Sequence, residues 1–159
     1  MNGQQILKYW NKVEKMPLGR FLFSVFVSKA VPYSGTIHSK VLKLSPGYCL
    51  LELKDRKVVR NHLNSIHAIA LCNLGELCSG LAMLCCLDEK YKSIVTHLEI
   101  EYLKKSRGTL LAECQIDPIK LKTRLESEDN VEEIVSAHIK DESGDTTALL
   151  KAKWRVAKR

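Results

Sequence analysis

Aromatic residues are scarce in this sequence, and Phe, Trp and Tyr together make up 6% of its 159 residues. Proteins that bind single-stranded nucleic acid commonly stack bases on aromatic side chains, and neither a recognition helix nor an RNA-binding motif is visible. The sequence also has no internal repeat and no low-complexity tract. These absences argue against nucleic-acid binding, which is supported by the net charge of +7 alone.

The sequence lacks any pair of cysteines in the CxxC spacing that is typical of structural zinc sites. Adjacent cysteines rarely form a disulfide bond, and cysteines six residues apart on a helix point to different sides. Four of the six cysteines fall within one apolar segment: Cys72, Cys78, Cys85 and Cys86. We therefore expect reduced thiols in a cytoplasmic protein, with no metal and no cofactor.

The N-terminal region resembles a secretory signal peptide only weakly. Residues 21–27 are an apolar run, and the small residues that follow imitate a cleavage site. The run is at the short limit for such a signal, and it begins only after Trp10, Glu14 and Pro17. We expect a chain that is not secreted.

The most informative segment is residues 66–87, where Glu76 is the only formally charged side chain among 22 residues. The length of the segment would allow a membrane span, but His67, Asn73 and Ser79 are poorly suited to face lipid. A helix that is apolar on nearly all sides is otherwise buried in a protein core. We predict one long buried helix here and no membrane insertion.

Segments on both sides of this helix are predicted to form strands. Before it, residues 36–44 and 49–54 are joined by a turn at Pro46 and Gly47. After it, four segments alternate between apolar and polar residues, as antiparallel strands with one buried face do: 94–103, 109–116, 133–140 and 147–156. In the first of these, one face would hold Ile94, Thr96, Leu98, Ile100 and Tyr102.

The order of these elements predicts an α+β fold in which a curved antiparallel sheet wraps around one central helix, with no second helix among the later strands. Residues 4–15 and 18–30 are predicted to form two preceding helices, the second with Pro17 at its first position. The length suits a single domain of residues 1–159. Its parts would be an N-terminal helical segment, 1–33, and a core, 34–159.

Glu76 is out of place in an apolar helix. Burying an ionised carboxylate costs several kcal/mol unless it is paired, protonated or open to a cleft. No cation lies three or four residues away on the helix. Either the side chain hydrogen-bonds to the sheet or to a partner subunit, or it is a catalytic carboxylate with a shifted pKa.

The segment from Asn61 to Glu76 resembles the signature of hotdog-fold acyl-CoA thioesterases of the hydroxybenzoyl and phenylacetate-pathway type. In that signature an Asn precedes a His-Gly-Gly by six residues, and an Asp or Glu follows the His by nine, as around His67 here. Residues 101–108 resemble the third strand of that family and its basic turn. Residues 59–70 are similar to a poorly characterised branch of the superfamily.

This resemblance implies a hotdog fold and an acyl-CoA thioesterase that acts as a homodimer or dimer of dimers, with its site between subunits. It implies Glu76 as general base or nucleophile and the backbone N–H of Ala68 as the donor to the thioester oxygen. Asn61 would orient the water or the carbonyl, and His67 would support the loop. The substrate-binding residues would be Lys104, Lys105, Arg107 and Asn64.

The sequence departs from the family pattern at three glycines. Ala68 and Ile69 replace the Gly-Gly pair, and Asn64 replaces an earlier glycine. Glycine lets a substrate approach the backbone closely. We therefore expect the side chains at these three positions to narrow or reshape the space through which a substrate reaches the backbone. A hotdog protein that binds acyl-CoA or another acyl ligand without catalysis is therefore the main alternative. A hydratase or dehydratase is a weaker alternative, since the Asp/His pair of such enzymes is not evident here. The basic residues Lys104, Lys105 and Arg107 also fit a surface that contacts only solvent.

Overall fold

The computed structural model describes residues 2–159. Its N-terminal part is helical and comprises α1 (Gly3–Val13), α2 (Gly19–Ala30) and the short α3 (Pro32–Gly35). Helix α1 begins with a capping box between Asn2 and Gln5. Helix α2 begins later than predicted, since Leu18 has a φ of 60°, in the left-handed region, and cannot belong to the helix. Pro17 is therefore not the first helical residue.

Six antiparallel strands form one sheet in the order β1-β2-β4-β5-β6-β3. Strands β1 and β3 are its two edges. The strand bounds are β1 Lys40–Ser45, β2 Tyr48–Lys54, β3 Tyr91–Tyr102, β4 Thr109–Gln115, β5 Asn130–Lys140 and β6 Thr146–Lys158. The first strand begins at Lys40 rather than at residue 36, because α3 and the turn after it occupy the preceding residues.

The central helix, α4 (Ala68–Leu84), has 17 residues, of which twelve are buried. It packs against all six strands through one hydrophobic cluster that also includes Ile6 and Trp10 of α1. The predicted sheet wrapped around a buried helix is confirmed, and it is the hotdog fold. The helix is shorter than the predicted 66–87, because His67 caps its start and Cys85 its end.

Two features differ from the predicted strand region. A helix, α5 (Pro118–Ser127), lies between β4 and β5, so the expectation of no second helix there was wrong. A bulge between Val95 and His97 reverses the alternation of β3, which leaves Ile94 63% exposed and on the face opposite Leu98. The predicted shared face of residues 94–102 was therefore also wrong.

The six cysteines are free thiols, and Cys49, Cys78, Cys85 and Cys114 are buried. The apolar run of residues 21–27 lies inside α2, where Phe23 and Val27 join the core. Of the helices formed by residues 2–159, none combines the length and the apolar character needed to cross a membrane.

Candidate functional site

Helix α4 has one stripe that the sheet does not cover. Apart from Leu84 at its end, four residues of the helix are not buried: Ala68, Ile69, Cys72 and Glu76. At 100° per residue they fall within about a quarter turn of the helix circumference. The predicted Glu76 and Ala68 thus lie on the same side of the helix, separated by two turns, or about 12 Å along the axis.

The carboxylate of Glu76 is half-buried, and none of residues 2–159 pairs with it by a hydrogen bond or a salt bridge. Desolvation by its apolar surroundings raises its pKa above the ordinary value of 4.5. One turn earlier, burial raises the pKa of the Cys72 thiol, and the charge of Glu76 adds to the effect. A carboxylate with a raised pKa is a stronger base than an ordinary glutamate.

The start of α4 presents a free backbone donor. The Nδ1 atom of His67 accepts a hydrogen bond of 3.0 Å from the backbone N–H of Ile69, so His67 caps the helix. The N–H of Ala68 has no hydrogen-bond acceptor among residues 2–159. It lies at the positive end of the helix dipole, where a developing negative charge is stabilised.

Tyr102 contacts the same turn from the end of β3. Its hydroxyl donates a hydrogen bond of 3.0 Å to the carbonyl oxygen of Ala68. Burial, and secondarily the proximity of Cys72, raises the pKa of this hydroxyl. The sequence assigned Tyr102 to a strand and gave neither Tyr102 nor Cys72 a role, because nothing in a single sequence indicates that they meet.

Asn61 has a structural role in the loop before the helix. Its Oδ1 atom accepts hydrogen bonds from the backbone N–H of Leu63, at 2.9 Å, and from that of Ser65, at 3.2 Å. The amide oxygen is therefore engaged, and the Nδ2 hydrogens are the part of the side chain that can meet a ligand. The structure does not bring Asn61 into contact with Glu76.

The loop of residues 61–66 is joined to the basic turn after β3. The Nε of Arg107 donates a hydrogen bond of 3.2 Å to the carbonyl of Asn64, and the N–H of Ile66 donates one of 2.8 Å to the carbonyl of Ser106. Asn64 has a φ of 55°, which asparagine tolerates better than most residues. The backbone at this position thus adopts a conformation that glycine would also adopt readily.

The three cations of this turn have different surroundings. The ammonium of Lys104 is held between Asp141, at 2.6 Å, and Asp145, at 2.7 Å, which raises its pKa. Lys105 is exposed and makes no salt bridge within residues 2–159. Arg107 keeps its terminal nitrogens free of salt bridges within the same residues. Lys105 and Arg107 are thus available to an anionic ligand, while the charge of Lys104 is compensated.

A cavity of about 230 Å³ flanks the helix start, and Glu76 is not among the residues that line it. His67, Ile69 and Asn73 line it, and the Oδ1 of Asn73 is buried without a hydrogen-bond donor. Among residues 2–159, no three His, Cys, Asp or Glu side chains converge on a point that would suit a metal ion. The groups that the exposed stripe offers are the Glu76 carboxylate, the Cys72 thiol and the backbone N–H of Ala68.

Several solved structures share this fold. A structural-genomics target is 22% identical, with a TM-score of 0.79 over 99% of this chain and 98% of that one. A Pseudomonas aeruginosa protein described as a probable thioesterase is 23% identical, with a TM-score of 0.79 over 91% and 99%. A Staphylococcus aureus thioesterase is 12% identical, with a TM-score of 0.66 over 79% and 98%. At such identities the likeness shows the fold.

No curated protein matches the sequence. A family model covers residues 19–156, from the start of α2 to near the end of β6. The match leaves out residues 1–18, which include α1, and the last three residues of the chain. The chain therefore belongs to the family described as domain of unknown function DUF4442.

Proposed function

We propose that the protein is a hydrolase of the acyl-CoA thioesterase type, which cleaves the thioester of an acyl-CoA. The observation that carries this proposal is the unpaired, half-buried carboxylate of Glu76 on the exposed stripe of α4, which also holds the free N–H of Ala68. An uncompensated carboxylate in an apolar helix destabilises the fold, and catalysis is a reason to retain it. The likeness to structures described as thioesterases supports the same reading.

In this mechanism the thioester carbonyl oxygen accepts a hydrogen bond from the N–H of Ala68. That oxygen gains negative charge as water attacks the carbonyl carbon, and a fixed donor there contributes a few kcal/mol to lowering the barrier. As general base, Glu76 takes a proton from the attacking water; the carbon–sulfur bond then breaks, the CoA sulfur takes up a proton, and the carboxylic acid is released. As nucleophile, Glu76 attacks the carbonyl carbon itself, the carbon–sulfur bond breaks and CoA leaves as the thiolate, which takes a proton from solvent; water then hydrolyses the acyl anhydride on Glu76 to the carboxylic acid and the free carboxylate. Asn61 would orient the water or carbonyl through its Nδ2 group, and His67 holds the first turn of the helix.

A homodimer would complete the site. Strand β3 has twelve residues and is an unpaired edge of the sheet, and none of its side chains is fully buried in one chain. A long edge strand with half-buried apolar residues such as Val95 and Ile100 is normally covered. Pairing of β3 with its copy would bring a second subunit beside Tyr102 and the exposed stripe of α4. The two ends of the substrate would then contact different subunits.

The CoA moiety gives the basic turn a role. Lys105 and Arg107 are exposed near the start of α4 and can contact the phosphates of CoA. Asn64, which is bonded to Arg107, would border the same path. Lys104 is better described as a structural cation of the turn. The free thiols fit a cytoplasmic enzyme.

One observation favours binding without catalysis as the second candidate. Ile69 is 55% exposed in the first turn of α4, at a position where the thioesterases of the resembled signature have glycine. A branched side chain at this point restricts how closely a thioester can approach the donor. The two candidates differ in whether bound acyl-CoA is consumed.

The test is thiol release from a panel of acyl-CoAs that differ in chain length and in aromatic content. The thioesterase proposal predicts turnover of at least one member by the wild-type protein, and loss of that turnover in Glu76→Gln. Binding measured by calorimetry, with no thiol released from any member that binds, would establish the binding protein instead.

A further inference from the structure

The N-terminal part of the protein carries a large excess of positive charge. Residues 1–47 contain seven Lys and Arg side chains and one acidic residue, a net +6 of the +7 carried by the whole chain. All seven cations are exposed, and none forms a salt bridge within residues 2–159: Lys8, Lys12, Lys15, Arg20, Lys29, Lys40 and Lys43. Three of the five basic residues at the C-terminus are paired, while Lys151 and Arg159 form no salt bridge within residues 2–159. Arg155 and Lys153 pair with Glu132, and Lys158 pairs with Asp129.

The same part of the chain exposes a row of large apolar side chains. In α2, Phe23 and Val27 face the core, while Phe21, Leu22 and Val25 face outward with exposures of 56%, 51% and 36%. Leu18, at the tip of the preceding turn, is 76% exposed. At 100° per residue the three outward residues of α2 span about 100° of the helix circumference, and Leu18 lies on the turn just before the helix. Together they form what we call the α2 apolar face: Leu18, Phe21, Leu22 and Val25.

Cations border this face on both sides. Lys15 and Arg20 flank the turn that carries Leu18. On the other side a groove of about 360 Å³ separates Phe21 and Val25 from Lys40, Lys54 and Arg56. Glu52 is the one carboxylate that lines the groove. Apolar residues ringed by Lys and Arg are the pattern of helices that lie in the interface of an anionic membrane.

The position of the face in the fold leaves it uncovered in the proposed dimer. Helix α2 packs on β1, and β1 is the edge of the sheet opposite to β3. A dimer formed through β3 would therefore carry one such face at each of its ends. A symmetric contact between two copies of the face would bring the cations that border it against one another, which opposes self-association.

We propose that the α2 apolar face docks the protein on anionic lipid surfaces. The outward side chains of α2 enter the boundary between headgroups and acyl chains, and the surrounding cations contact lipid phosphates. The interaction is peripheral and reversible, since one short face buries few side chains. It does not depend on the proposed hydrolase activity, and its test needs no acyl-CoA.

Sedimentation with lipid vesicles tests the proposal. The wild-type protein should sediment with vesicles of phosphatidylcholine and phosphatidylglycerol, and about tenfold less with vesicles of phosphatidylcholine alone. The double variant Phe21→Asp/Leu22→Asp should lose at least about tenfold in partition. Ile119→Asp is the matched control, because Ile119 is 78% exposed on α5, and it should bind as the wild type does. All three proteins should have similar melting temperatures, since the changed side chains are exposed.

A second pair of variants tests the charge requirement. Lys15→Glu/Arg20→Glu should weaken binding by roughly fivefold per cation, while Lys120→Glu/Lys122→Glu, on the exposed side of α5, should not. The proposal is overturned if the wild-type protein stays in the supernatant with anionic vesicles at low salt. Equal loss in the α5 controls would also overturn it. So would a folded Phe21→Asp/Leu22→Asp protein that binds vesicles normally but changes its oligomeric state, which would make the face a contact between copies.

Discussion

The hydroxyl of Tyr102 donates a hydrogen bond to the carbonyl oxygen of Ala68 at 3.0 Å, which ties the end of an edge strand to the first turn of the buried helix. The N–H of the same Ala68 is the free donor proposed to bind the thioester oxygen. The position of that donor therefore depends on β3, the strand along which a second subunit is expected to pair. Assembly and catalysis would be coupled through this contact.

Replacing Tyr102 by Phe should affect turnover more than stability. The hydroxyl is partly exposed, so its loss should cost about 1 kcal/mol or less in the free energy of unfolding. We expect a several-fold lower kcat with KM nearly unchanged, because the first turn of α4 loses a constraint. Tyr33→Phe is the control, since Tyr33 is 68% exposed and its hydroxyl has no partner among residues 2–159. Equal kcat and KM values for Tyr102→Phe and Tyr33→Phe would show that the Tyr102 hydroxyl does not position the Ala68 donor.

Gly75 allows α4 to pack closely on β6, and Gly75→Ala should destabilise the protein. An added Cβ would lie 2.9 Å from the Cβ of Leu150, which cannot move without the strand. The expected loss in the free energy of unfolding is about 1–3 kcal/mol, which outweighs the better helix propensity of alanine. Gly80→Ala should cost less, because its Cβ would meet the far edge of the Trp154 ring at 3.2 Å. Denaturant unfolding of both variants measures the two losses in the free energy of unfolding, and the loss should be larger for Gly75→Ala. A Gly75→Ala protein more stable than the wild type would contradict this prediction.

The sequence predicted the buried helix because a segment with one charge in 22 residues has no polar side to expose to water. This property does not depend on which other elements pack against the helix. It did not predict α5, since that helix buries only Leu121 and Leu125 and its apolar period is correspondingly weak. The start signal was nevertheless present: the Oδ1 of Asp117 accepts from two backbone N–H groups, and Pro118 follows at the first position.

The site was predicted less completely than the fold, for a physical reason. The spacing of Ala68 and Glu76 along one helix is a local property that the sequence contains. The bulge in β3, the contact of Tyr102 with Ala68 and the pairing of Lys104 with two aspartates all depend on which strands lie side by side. Alternation within a segment indicates which residues share a face, and it does not indicate where a bulge reverses that face.

The raised pKa of Glu76 makes a prediction about stability as a function of pH. Between the unfolded value of 4.5 and the higher folded value, the native state binds more protons at Glu76 than the unfolded state does. The contribution of Glu76 to the free energy of unfolding therefore falls as pH rises through this window. Glu76→Gln should be at least as stable as the wild type at pH 7, and its advantage should disappear below pH 4.5. Melting curves of the two proteins across this range measure the difference. An advantage that grew on acidification would contradict the assignment.

We expect different roles for two lysines of the basic turn: Lys105 binds the substrate, and Lys104 stabilises the turn. Lys105→Ala should raise KM for acyl-CoA by about threefold to tenfold, because the free ammonium of Lys105 is available to a phosphate. Lys104→Ala should change KM little, since Asp141 and Asp145 already hold the Lys104 charge. The same acyl group on a pantetheine thioester, which lacks the nucleotide phosphates, should show no effect of Lys105→Ala. A comparable effect on both substrates would exclude phosphate binding by Lys105.

The measurement that tests the central claim most directly is acyl-CoA hydrolysis and melting temperature on Glu76→Gln, with Glu126→Gln as the matched control. Glu126 is an exposed glutamate of α5, away from β3, with no salt bridge among residues 2–159. If the Glu76 carboxylate acts on the thioester, Glu76→Gln lowers kcat/KM by about 10²–10⁴ without lowering the melting temperature, and Glu126→Gln changes neither. A Glu76→Gln protein that keeps wild-type turnover, or that loses turnover only in proportion to a loss of folded protein, would contradict the account.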